Sequence, residues 1–197
     1  MPVIGITGGF GTGKSYVSGI FRELGAKVID ADQLAHDSIK KRGPAYKKVA
    51  ALFGPSVLGP GREIDRRKLG RIVFEDKRSL KRLDAIVHPE VMKAIKARIR
   101  KAARSGAVIV VDAPLLIEAG LAESVDELVV VTCPKDEQVR RCVSKFGIDK
   151  EEVLKRIKNQ IPLRKKIKMA DHVVDNSGPK AGTRKIVKKI WRQIVWR

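Results

Sequence analysis

Five short apolar runs recur along the chain: VIGIT (Val3–Thr7), AKVID (Ala26–Asp30), AVIVVD (Ala107–Asp112), ELVVVT (Glu127–Thr132) and HVVDN (His172–Asn176). They are rich in Val and Ile and do not alternate with polar residues. Strands covered on both faces look like this, as in a parallel sheet. Amphipathic helical patterns lie between them, among them Ser15–Leu24, Pro89–Ala103 and Lys150–Asn159. This alternation predicts an α/β fold, a five-stranded parallel sheet between two helical layers, with right-handed crossovers.

The spacing is uneven. Between the second and third runs lies FGPSVLGPGREIDRRKLGRIVF (Phe53–Phe74), which opens on a Gly/Pro loop. Residues from Asp32 to about Arg104 are expected to form a helical insert in the sheet domain. A second basic helical segment, about Lys135 to Lys168, separates the fourth run from the fifth. The 197 residues suit a single domain, 1–197, carrying both inserts.

Lys and Arg total 42 against 22 Asp and Glu, a formal net charge of +20. Such a chain attracts anions, from nucleotides to polyanions. The basic residues sit on helical stretches such as KAIKARIRKAAR (Lys93–Arg104) and read as a solvated surface. No aromatic-interleaved or zinc-spaced module points to nucleic acid as a partner. The two cysteines, Cys133 and Cys142, form neither a metal pair nor a disulfide framework and suit a reducing compartment. The first strand begins within two residues of Met1, leaving no room for a signal peptide, and no apolar stretch approaches a membrane span. A soluble cytoplasmic protein, monomeric or weakly homo-oligomeric, is expected.

The candidate chemistry begins at GGFGTGKS (Gly8–Ser15). It matches G-x-x-x-x-G-K-[ST], with a strand before it and a helix after it, as a phosphate-binding loop requires. Glycines let successive N–H groups turn toward phosphate oxygens, and the helix beginning near Lys14 adds its positive end. Lys14 then reaches the β- and γ-phosphates of a nucleoside triphosphate, and the Ser15 hydroxyl coordinates magnesium. Asp112 ends a buried strand, where a carboxylate needs a partner. A magnesium shell is one such partner; a turn or helix cap is the other reading. The guanine-reading N-K-x-D of GTPases is absent, which favours a small-molecule kinase.

VIDADQLAHD (Val28–Asp37) carries the acceptor side. With a helix beginning near Ala31, Asp32 and His36 share a face. Asp32 is then a carboxylate placed to take a proton from an acceptor hydroxyl; capping by Asp30 or Asp32 is the alternative.

GITGGFGTGKS, VIDADQLAHD, EIDRRKLGRIVF, IVHPEV, VVDAPLLIEAG, DEQVRR, RIKNQ and ADHVVDN follow one another from about Val3 to Asn176. In order and spacing they resemble the dephospho-CoA kinases, a family of P-loop kinases. The resemblance implies transfer of the ATP γ-phosphoryl group to the 3′-hydroxyl of dephospho-CoA, with Mg2+. Catalysis would fall to Asp32, Lys14 and Arg141. ATP would lie on Gly9, Gly11, Thr12, Gly13, Lys14, Ser15, Tyr16 and Asn176, the last beside adenine. Dephospho-CoA would lie on Asp32, Arg66 and His88, and the metal on Ser15 and Asp112. Arg66 reads equally as a solvated charge, and His88, before Pro89, as a helix cap. Arg141 and Lys145 are like charges one turn apart, which an anion between them would relieve. The chain departs from the family pattern at Tyr16, usually Thr, and at Lys145, often Arg.

Overall fold

The structure, a computed structural model, describes residues 2–103 and 106–196. The expected end of the insert at Arg104 and the two ends of the 1–197 span lie outside them. The chain divides into two compact units, one of Met1–Asp30 with Arg98–Arg197 and the other of Ala31–Ala97.

The first unit holds the sheet. Strands β1 (Val3–Gly8), β2 (Lys27–Asp30), β3 (Ile109–Asp112), β4 (Glu127–Thr132) and β5 (His172–Asp175) are all parallel, in the order β2-β3-β1-β4-β5. All five expected strands form, within two residues of their expected starts. On one face Ile4, Ile6, Val110, Val129, Val131 and Val174 pack against α1 (Lys14–Glu23) and α9 (Lys180–Val195). Those helices contribute Val17, Ile20, Phe21, Val187, Ile190 and Ile194. Phe21 is fully buried and meets Trp191 edge-on, with centroids 6.2 Å apart. Burying a side chain of that size contributes about 1.5–3 kcal/mol. The other face is also covered: a Cβ on Gly5 would stand 2.9 Å from Leu116 and 3.0 Å from Val125. This double burial explains the unbroken Val/Ile runs.

Between β4 and β5 lie α6 (Lys135–Phe146), α7 (Lys150–Lys158) and α8 (Leu163–Met169). The Asp149 side chain caps α7 by accepting the Glu152 N–H at 2.7 Å. Pro162 precedes α8, and α8 packs on β4.

The second unit contains α2 (Ala31–Ile39), α3 (Tyr46–Phe53) and α4 (Arg66–Glu75), and α5 begins in it. Asp65 caps α4 through the N–H groups of Arg67 and Lys68, at 2.9 and 3.2 Å. The α5 helix runs Lys77–Ala103, with Pro89 inside it. The helix expected over Pro89–Ala103 therefore starts twelve residues earlier than its pattern implied. Its cap is Asp76, which accepts from the N–H groups of Arg78 and Ser79 at 3.0 and 2.9 Å. His88 thus caps nothing; it stands mid-helix, 3.6 Å from Asp84 one turn earlier.

Candidate active site

The glycine-rich loop joins β1 to α1 at the carboxyl edge of the sheet, where ligands bind in open α/β folds. Gly8, the last residue of β1, stands against β4: a Cβ there would lie 2.6 Å from the Val131 carbonyl oxygen. Gly13 is the N-cap of α1 in the left-handed region, φ 87°. Its carbonyl accepts the N–H groups of Tyr16 and Val17 and so starts the helix. The free N–H groups of the first turn make this terminus an anion site. Ser15 is exposed there.

Lys14 and Asp112 form an ion pair, their side chains 14% and 8% exposed. The buried strand-end carboxylate thus has the partner its burial requires. Asp112 pairs in register with Ile6 on one side and Asp30 on the other.

Side chains from the later part of the chain hold the loop from behind. The buried Asn176 donates its side-chain N–H to the Thr12 carbonyl at 2.8 Å, and its oxygen accepts the Thr183 hydroxyl at 3.0 Å. Arg141 donates to the Asn176 carbonyl at 2.8 Å and, more weakly, to the Thr12 carbonyl at 3.5 Å. Gln160 accepts the Phe10 N–H at 2.9 Å. Tyr16 donates to the Lys180 carbonyl at 3.2 Å, with the Lys180 ammonium 5.8 Å from its ring centre.

Arg141 has an anion already. Glu137, four residues earlier, accepts from its Nε at 2.8 Å and also from Arg140. The Arg140 and Arg141 guanidiniums lower the Glu137 carboxyl below its ordinary value. The like-charge pair read between Arg141 and Lys145 is thus relieved from within α6, and the Lys145 ammonium lies 5.2 Å from the Phe146 ring centre.

In the second unit Asp32 lies in the first turn of α2 and His36 one turn on. Arg66, the first residue of α4, donates from Nη2 to His36 Nε2 at 2.6 Å; a guanidinium only donates, so that ring nitrogen is an unprotonated acceptor. The pair lies in a cleft of about 280 Å³ whose polar wall includes Gln33, Lys40, Lys41 and Glu63. Arg66 is thus exposed and at the same time a partner of His36. His88 does not line this cleft. It faces Asp84, whose carboxyl burial pushes up and His88 pulls down.

Sequence reasoning named the loop, Asp112, Arg141 and Asn176. It gave no role to Gln160, Phe10, Glu137 or Glu118, the last of which accepts the Ile161 N–H beside Gln160 at 3.1 Å. A signal was present: Gln160 closes RIKNQ, and Glu118 lies in VVDAPLLIEAG.

The family model of the dephospho-CoA kinases matches residues 2–181. The chain belongs to the dephospho-CoA kinase family. Its reaction is the ATP-dependent phosphorylation of the 3′-hydroxyl of dephospho-CoA, the last step of coenzyme A synthesis. A dephospho-CoA kinase of Carboxydothermus hydrogenoformans is 44% identical over 198 residues, spanning 100% of this chain and 96% of that one. The solved dephospho-CoA kinase of Campylobacter jejuni superposes with a TM-score of 0.73 at 27% identity, over 98% of this chain and 96% of that one. A shikimate kinase from Acinetobacter baumannii, 14% identical with a TM-score of 0.53 over 100% of this chain and 94% of its own, shares the fold alone. With the parallel sheet and the loop, these place the chain among the P-loop kinases.

Proposed function

We propose that the loop Gly8–Ser15 cradles the ATP phosphates in this dephospho-CoA kinase and that Asp32 is the general base. The observation that carries the reading is the Lys14–Asp112 ion pair beside the N-terminus of α1. A lysine held at a helix N-terminus by one buried carboxylate is a cation kept in place for a polyphosphate. When the β- and γ-phosphates arrive, Lys14 gains a second, more highly charged partner in a site already built for anions. The backbone N–H groups of Gly9, Gly11, Gly13, Lys14 and Ser15 supply the remaining donors, while Thr12 and Tyr16 border the cradle with their own N–H groups taken by the Gly9 and Gly13 carbonyls. None of them depends on the side chain at Tyr16, so its departure from Thr spares the cradle.

Ser15 and Asp112 would hold Mg2+. The donor set fits: both are hard oxygen ligands, and magnesium takes one or two protein oxygens and completes its shell with phosphate and water. Among the described residues no group of three or more acidic, His or Cys side chains is placed to hold a metal by itself, and none is needed. Bound there, the ion would neutralise charge on the β- and γ-phosphate oxygens.

Asp32 accepts the proton of the 3′-hydroxyl as that oxygen attacks the γ-phosphorus and the bond from that phosphorus to the bridging oxygen breaks, releasing ADP. Arg66, paired with His36 in the cleft of the second unit, binds the anionic part of dephospho-CoA, and His88 contributes from α5. Arg141 contributes positive charge to the phosphates, discounted by Glu137. Asn176 acts beside the nucleotide by holding the loop, since both functional atoms of its amide are engaged. In this reading the chain is one kinase domain, with an acceptor-binding insert of about 32–104 and a lid of about 135–168. A cytoplasmic location agrees with its substrates, and no helix among the described residues is long and apolar enough to cross a membrane.

The test is ADP release from ATP with and without dephospho-CoA, with the product weighed. ADP dependent on the acceptor, and a product heavier by one phosphoryl group, are expected. A preferred nucleotide or nucleoside acceptor would overturn the reading.

A further inference from the structure

Phe10 is the one large apolar residue in a loop otherwise built of glycine, threonine and lysine up to Ser15. It has no place in a phosphate cradle, so its contacts must lie elsewhere. Its ring stacks on Phe146 at the end of α6, with centroids 5.7 Å apart and planes inclined by 14°. The Arg156 guanidinium of α7 lies 5.5 Å from its centre. Its backbone N–H, part-buried, is taken by the Gln160 side-chain oxygen at 2.9 Å. All three contacts come from the segment between β4 and β5.

Gln160 is itself anchored. The next residue, Ile161, donates its N–H to Glu118 at 3.1 Å, and Glu118 is paired with the fully buried Lys166 at 2.8 Å. Lys166 also donates to the Pro114 carbonyl at 2.8 Å, on the stretch that leaves Asp112. The backbone next to Gln160 is therefore anchored to the Lys166–Glu118 ion pair.

We propose that Gln160 is a positioning residue of the phosphate loop: by accepting the Phe10 N–H it fixes the start of the loop, leaving the N–H groups of Gly11, Gly13, Lys14 and Ser15 to the nucleotide. The loop is shaped before ATP arrives, so the ordering cost does not fall on binding. Without the acceptor, the Phe10 N–H must either stay unpaired or turn the loop toward water. Either path weakens ATP and spares dephospho-CoA.

This inference rests on the loop being the ATP phosphate site, and the test keeps the two apart. Gln160→Met matches the length and removes the acceptor; Gln160→Glu keeps an acceptor. Nuclear magnetic resonance hydrogen exchange reads the Phe10 amide without nucleotide, and steady-state kinetics give KM for each substrate. Slow exchange at Phe10 is expected in the wild type and in Gln160→Glu, and fast exchange in Gln160→Met. The KM for ATP should rise about tenfold in Gln160→Met, the cost of one unpaired part-buried donor. The KM for dephospho-CoA should stay near wild type, and Gln160→Glu should recover most of the loss. An unprotected Phe10 amide in the wild type would overturn the proposal even if Gln160→Met failed to fold. So would equal losses for both substrates, a lowered melting temperature with ATP affinity intact, or no recovery in Gln160→Glu. A Lys14→Ala variant that still turned over would remove the loop's role instead, with Phe10 protection unchanged.

Discussion

The side-chain amide of Asn176 donates to the carbonyl oxygen of Thr12 at 2.8 Å, across 164 residues of sequence. Its Nδ2 occupies the space into which a side chain at Gly13 would project: a Cβ there would lie 2.1 Å from it. The last strand and the loop are thus fitted to each other at one point.

Asn176→Ala leaves the Thr12 carbonyl with only a long contact from Arg141 and deprives the Thr183 hydroxyl of its acceptor. The expected loss is about 1–3 kcal/mol, the desolvation cost of buried groups left unpaired. In a chain of this size each kcal/mol moves the melting temperature by about 2–4 °C. Asn176→Asp should be worse, since a carboxylate faces a carbonyl. Melting curves of both variants check this; an unshifted Ala variant would show that the contact carries no stability.

Gly13→Ala meets two penalties, the clash with Asn176 and a φ of 87° that alanine tolerates poorly. Adding Asn176→Ala removes the first and not the second. The double variant should therefore recover part of the ATP affinity lost in Gly13→Ala. Isothermal titration with ATP measures it; no recovery would assign the whole loss to the backbone.

Asp32→Asn should lower kcat by about 10²–10⁴-fold, the usual contribution of a positioned base, while ATP binding persists. Lys14→Ala should abolish turnover and leave Asp112 a buried carboxylate without its partner. Near wild-type turnover in Asp32→Asn would remove that residue from the reaction. Robust activity in Lys14→Ala would do the same for the loop.

The strands were legible because burial on both faces leaves unbroken Val/Ile runs, and the loop because its chemistry dictates residue types at fixed spacing. The start of α5 was not, because Pro89 suggested a first helical position while the true cap, Asp76, looks like any surface acid. The strand order and the pairs Asn176–Thr12, Gln160–Phe10 and Lys166–Glu118 were equally hidden. Each joins residues 48 or more positions apart, and periodicity within one sequence carries no record of such pairings. Glu137 was hidden differently: it precedes Arg141 by one turn, while the like charge at Lys145, one turn later, pointed to an anion from outside the helix.

Both thiols should resist modification in the folded protein. Cys133 and Cys142 are buried beside the loop, and burial pushes the Cys133 thiol up to about 11 and raises that of Cys142. Alkylation needs the thiolate, so iodoacetamide at pH 8 should label neither until the chain unfolds. A raised thiol value favours the folded state below the unfolded value of 9.0, and that contribution is lost as pH rises toward 11. Stability should therefore decline over that alkaline window, and Cys133→Ser should flatten the decline. Rapid labelling at pH 8 in the native state would contradict the burial.

Lys166 is fully buried, and Glu118 is its counter-charge. Glu118→Ala should destabilise by about 3 kcal/mol, because an ammonium remains in the interior without its partner. Lys166→Met keeps the bulk and removes the charge, and the Pro114 carbonyl still accepts from Thr7 at 3.0 Å. The double variant Glu118→Ala/Lys166→Met should therefore melt above the Glu118→Ala single variant, although it has lost one more native side chain. Its ATP KM should nevertheless stay raised, since Ile161 has lost the acceptor that fixes Gln160. Thermal melts with parallel ATP titrations measure both quantities. Equal melting of single and double variants would show that the buried charge is not what Glu118 offsets.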